Sequence, residues 1–248
     1  MRKTVRRLLI AGATLVAGTA LLLLGAYLAV RRAPTFYRQA LAAPQDEQKT
    51  NGENFERSAL ALHNQLYEAG RWQTCLTQEE INGWLATDLP EKFPQALPPG
   101  ISDPRIAIED ETVHLAVRYK RGGVDTVVSI SGEAYLTAQP NEIAVRLDRA
   151  RAGMLPVPLA RFLQEITDRA AKADVPLRWT EVRGAPVALL RLPLDRDEED
   201  KRVVLEDIRW RDGQLLVAGR TEEPSLPGGK ESQPATAVQP GVKETRQR

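Results

Sequence analysis

Between Arg2, Lys3, Arg6 and Arg7 on one side and Arg31-Arg32 on the other lie 23 consecutive residues, 8–30, without a charge. A helix of that length reaches roughly 34 Å, enough for a hydrocarbon core of about 30 Å with some tilt. A cleaved signal peptide is the competing reading, but its apolar region spans only about 7–15 residues before a small-x-small cleavage site. This run is longer, and its far end, Tyr27-Leu-Ala-Val-Arg-Arg32, makes a poor site. The residues around Arg6-Arg7 do not fit a twin-arginine signal. The basic cluster in front predicts a cytoplasmic N-terminus. The expectation is an uncleaved single-pass anchor in the inner (plasma) membrane, with everything after residue 30 outside the cytoplasm.

Charge narrows the partners. Residues 1–50 hold eight Lys/Arg against two acids, whereas residues 51–221 hold 22 against 27. A mildly acidic ectodomain argues against nucleic acid, whose phosphates want a basic face. One cysteine, Cys75, excludes an internal disulfide and a cysteine-based zinc site, and it reads as a small buried apolar group. Only two histidines, His63 and His114, are present, and each reads as a surface residue. Neither a metal nor a cofactor is expected.

Along the chain, Pro34, Pro44 and a polar run mark residues 31–50 as a juxtamembrane linker. Phe55, Ala59, Leu62, Leu66 and Ala69 then form one apolar helical stripe over 54–69, stopped by Gly70. Two heptads are too few for a coiled coil, so the stripe is expected to pack on its own domain. Thr77 and Glu80 stand as a capping box, with Leu76 and Ile81 at staple positions. They predict a second helix from about residue 78 to just before Pro90. After a proline-rich stretch, 94–104, the period drops to two. Val113, Leu115, Val117 and Tyr119 alternate with more polar residues, and strands near 128–136 and 143–147 follow. This predicts an antiparallel meander with the Val113–Tyr119 set on its buried face. Pro158 opens a helix over 159–173, strands resume at 177–183 and 186–193, and Asp212-Gly213 joins a last hairpin, 203–210 with 215–219. Residues 222–248, rich in Pro and Gly, read as a disordered tail.

Catalytic patterns are missing. Ser129-Ile-Ser131-Gly132 lies within a strand and forms no nucleophile elbow, and Gly122-Gly123 is no phosphate loop. The acidic run 195–200 lacks the spacing of a calcium loop and reads as a solvated turn.

The order of elements across 128–190 carries a resemblance. It includes Ser131-Gly-Glu133, Arg151-Ala-Gly-Met-Leu-Pro-Val-Pro158 and the following helix and strand. With the anchor and Leu76-Thr-x-Glu-Glu-x-Asn82, the chain resembles the YpmS-like single-pass envelope proteins over roughly residues 1–195, with Asn82, Gly153, Leu155 and Pro156 as the matching residues. It is more distantly similar to the tubular lipid-binding domains. The resemblance implies an α+β domain, with a curved antiparallel sheet of about six to eight strands around about three helices, and no catalytic residues. It also implies a lipid or other apolar ligand at the cell envelope. If the sheet curls around helices 54–69 and 159–173, then Trp84, Leu85, Phe162, Ile166 and Trp179 line an apolar groove; otherwise they are ordinary core. The alternative to a non-enzymatic lipid binder is a scaffold that docks an envelope protein partner.

Overall fold

The computed structural model describes residues 28–172, 175–192 and 202–223, with Thr19, Leu24 and Gly25 ahead of them. Among these residues no helix is long and apolar enough to cross a membrane. Most of the uncharged run, the acidic run 195–200 and the tail beyond residue 223 lie outside them.

Residues 28–31 are helical and lead into α1, Thr35–Leu41, and α2, Gln45–Gln65. The linker expected over 31–50 is therefore helical for most of its length. Pro44 precedes the first turn of α2, and Asp46 and Glu47 in that turn favour its positive end. The helix ends at Gln65, and Gly70 opens a strand instead of stopping a helix. That strand, β1 (Gly70–Thr77), was not expected; Cys75 is exposed on it, not buried. The capping box forms as expected. Glu80 N–H donates to Thr77 Oγ1 at 3.1 Å, and Thr77 N–H donates to Glu80 Oε2 at 2.8 Å. It starts α3, Gln78–Lys92, which runs through Pro90. Proline costs the bond to Ala86 there, but the last turn is closed by Phe93 N–H on Leu89 O at 2.9 Å. Helices α2 and α3 cross where Gly52 meets Gly83, and a Cβ on Gly83 would stand 2.5 Å from Gly52 N.

The fold is α+β, built on a seven-stranded antiparallel sheet. Its strands are β2 (Ile101–Glu109), β3 (Thr112–Arg121), β4 (Val124–Leu136), β5 (Glu142–Ala152), β6 (Leu155–Val157), β7 (Leu177–Val182) and β8 (Ala185–Arg191). The order is β2-β3-β4-β5-β8-β7, with β6 on β5. Helix α4, Ala160–Lys172, precedes β7. The final hairpin, β9 (Arg202–Arg211) and β10 (Gln214–Glu222), pairs with β1 as a separate three-stranded sheet. Type I′ turns at Gly122-Gly123, Arg183-Gly184 and Asp212-Gly213 have both central residues at positive φ, which suits the strand twist.

Strand β2 was missed because it contains Pro104. Proline is tolerated on an edge, and the register shifts between Ser102 and Arg105. The open edge is covered by side chains. Asn82 donates to Ile106 O at 2.9 Å and accepts from Ile106 N–H at 2.8 Å, while Gln78 Oε1 accepts from Ile108 N–H at 3.0 Å. Helix α3 thus stands in for a neighbouring strand and blocks pairing with another chain. Asn141 does the same for β9: it donates to Val203 O and accepts from Leu205 N–H, both at 2.8 Å. A core of Trp72, Val203 and Leu205, with Leu62 of α2 and Leu66 just after it packed against it, joins the small sheet to the helices.

Candidate functional site

At the end of the uncharged run, backbone carbonyl groups accept hydrogen bonds from the sheet. Met154 N–H donates to Ala29 O at 2.9 Å, and Thr126 Oγ1 donates to Val30 O at 2.6 Å. Gly153 is essential to this contact. It turns at φ +58°, its N–H reaches Val127 O at 2.7 Å, and a Cβ there would strike the carbonyl of Val30. Any side chain meets both backbone strain and a backbone clash. Beside the junction Arg118 Nε and Nη2 donate to Asp125 at 3.0 and 2.8 Å, and these bonds hold the Asp125 carboxyl below its usual range.

A cavity of about 860 Å³ opens from this junction along the sheet. Its floor is polar. His114 pairs with Ser131, and Ser131 with Arg149, so three strands contribute one row; Ser129 and Arg151 form the next row. Arg31, Arg32 and Arg38 come from the segment that crosses above, and Glu109 is the one carboxylate on the lining. Its Oε2 lies 3.6 Å from His114 Nε2, and the ring of Phe36 lies 5.7 Å from that of His114. Arg32, Arg38, Arg149 and Arg151 are exposed and have no carboxylate partner among the described residues. Elsewhere Arg118, Arg146 and Arg220 are each held by a carboxylate. Guanidinium groups gathered without counter-ions in an open cavity suit a bound anion, above all phosphate.

The alternation along β3 is reversed only at its middle. Leu115 is 42% exposed and Ala116 fully buried at 0%, whereas Val113, Val117 and Tyr119 are half-buried and Arg118 and Lys120 exposed. Residues 31–38 and α1 lie over His114 and Ala116, so this stretch of the polar and small set faces the covered side. Signals for the cavity were present in the sequence, in Ser129-x-Ser131, Arg149-x-Arg151 and His114 at period two. They read as solvated because nothing in the sequence said that the supposed linker would fold over them.

Four of the five residues expected to line an apolar groove have described side chains, and these fall on two surfaces. Trp84 and Leu85 lie on α3, with the Trp84 ring between Phe55 and Phe93 at 5.3 and 6.0 Å. Ile166 lies on α4, and Trp179 on β7 donates from Nε1 to Thr167 Oγ1 of α4 at 2.8 Å. Helix α3 packs on β2 and α4 on β7, the opposite ends of the strand order. The side chain of Phe162 lies outside the described residues. The arginine-lined cavity contains none of the other four.

No group of three or more metal-binding side chains occurs among the described residues. Tyr37 and Arg105 are buried polar residues that leave the Tyr37 hydroxyl and Arg105 Nε without partners, although Arg105 Nη1 donates to Pro104 O at 2.7 Å. They lie at the contact of α1 with β2, outside the cavity lining. Comparison with protein-family models and with curated proteins finds no match for this chain.

Proposed function

We propose that this chain is a non-enzymatic, single-pass membrane protein whose extracytoplasmic domain binds a lipid by its headgroup, at the surface of the membrane that holds its anchor. One observation carries the reading. The last turn of the uncharged run is bonded through its own backbone to Thr126 and Met154, so the arginine-lined cavity starts where the anchor emerges. A long flexible linker would let the domain sample solvent; this contact holds its cavity at headgroup level. Exposed Leu28 and Met154 at the same junction suit the apolar side of that interface. The implied relationship to lipid-binding envelope proteins points the same way, with the lipid held at its polar end instead of in an enclosed tunnel.

The test is mass spectrometry of lipids retained by the full chain after purification in mild detergent. The reading predicts an anionic lipid enriched severalfold over its share of the membrane extract. A retained mixture identical to the bulk membrane would overturn it and favour docking of an envelope protein partner.

A further inference from the structure

We infer that the cavity holds the headgroup of a lipid diphosphate, a long-chain alcohol esterified to two linked phosphates. The inference rests on the membrane seating proposed above and adds the ligand class. Strand β5 leads away from the junction at Gly153, so at about 3.3 Å per residue Arg151 stands roughly 7 Å and Arg149 roughly 13 Å along it from the anchor exit. The two guanidinium groups are therefore stacked with distance from the anchor exit, with Ser129 beside the nearer and Ser131 beside the farther. Arg31, Arg32 and Arg38 close the opposite wall. A single phosphate meets one level of this ladder. A diphosphate ester extends along it, and carries about three negative charges at neutral pH because its last ionisation lies near pH 6. Arg32, Arg38, Arg149 and Arg151, set against the one carboxylate of Glu109, match that charge and exceed what a monoanionic headgroup neutralises. At the membrane end, Leu28 and Met154 are 52% and 55% exposed, an apolar rim for the first carbons of the chain.

Binding is measured by calorimetry on the full chain in neutral detergent micelles. The probes are geranylgeranyl diphosphate, geranylgeranyl monophosphate, inorganic pyrophosphate and an acidic peptide. The expected result is that the lipid diphosphate binds at least about tenfold more tightly than every other probe. The double variant R149Q/R151Q weakens that binding by about tenfold or more. Both positions are exposed, so its ligand-free melting temperature stays at the wild-type value. Arg38→Gln, on the opposite wall, supplies a second variant should the first fold poorly. Arg209→Gln, paired with Asp207 outside the cavity, leaves binding unchanged. Equal affinity for pyrophosphate would assign a soluble anion, equal affinity for the monophosphate a single-phosphate site, and tighter binding of the acidic peptide a protein partner; each overturns the inference. Lipid retention without diphosphate binding sinks this inference alone. Loss of both sinks the proposed function as well.

Discussion

Tyr37 is 2% exposed and its hydroxyl has no hydrogen-bond partner among the described residues. Burial, helped by the nearby charge of Asp103, pushes its pKa up to about 12. A buried hydroxyl left unpaired costs about 1–3 kcal/mol. Tyr37→Phe keeps the ring that packs α1 on β2 and removes that cost, so chemical denaturation is expected to show a gain of about 1 kcal/mol. The sign of the pH effect follows from the raised pKa. The neutral phenol is favoured in the fold, so its stabilisation relative to the phenolate is complete below pH 10 and is lost as the pH rises toward 12. Denaturation midpoints between these values should fall more steeply for the wild type than for the Phe variant, and parallel curves would show that Tyr37 ionises as if exposed. Little of this was legible beforehand, because Tyr37 sat in a segment whose prolines and polar run looked like a linker. Asn82 illustrates the opposite limit. Its position in a motif was visible, but its pairing with Ile106, 24 residues away, depends on where β2 lies.

Elements are legible in the sequence wherever their signals are self-contained. Thr77, Glu80, Leu76 and Ile81 specify a helix start within six residues, and Asp212-Gly213 specifies a turn within two. Thr77→Ala should therefore cost about 0.5–2 kcal/mol in a denaturant melt, the usual loss for an N-cap hydroxyl. An unchanged midpoint would mean that the Glu80 carboxylate on the Thr77 N–H holds the turn unaided. Signals failed where an element depends on distant partners. Strand β1 has no strong alternation and exists because β10 pairs with it along its whole length. Strand β2 contains proline yet persists as an edge because α3 bonds to its outer side. Helix α2 starts before its apolar stripe, since Leu62 and Leu66 near its end meet the core while the first turns are held by the crossing with α3. The apolar groove expected from five scattered residues required the sheet to close around two helices. Instead α2, which contains most of the expected 54–69 helix, packs on α3 and β1, while α4 packs on β7.

For the whole molecule, net charge and local charge tell different stories. Residues 51–221 are mildly acidic in sum, which disfavours nucleic acid, yet Arg149 and Arg151 join Arg32 and Arg38 of the preceding segment in one cavity at the end of the uncharged run. The proposed anchor, the cavity and the proposed ligand meet at the seating of Ala29 and Val30 on Thr126, Gly153 and Met154. The most direct measurement places a spin label at Met154→Cys, in a full chain carrying Cys75→Ser, reconstituted into lipid bilayers. A second label at Glu111→Cys lies just before β3, about 25 Å along the strands from the level of Met154. Accessibility to oxygen and to a water-soluble nickel complex then reports the depth of each. The seated domain predicts an interfacial signal at position 154 and a fully aqueous one at 111, with Gly153→Val moving the first toward water. Equal, fully aqueous signals from both labels in the Gly153 protein would contradict the seating and, with it, the headgroup site.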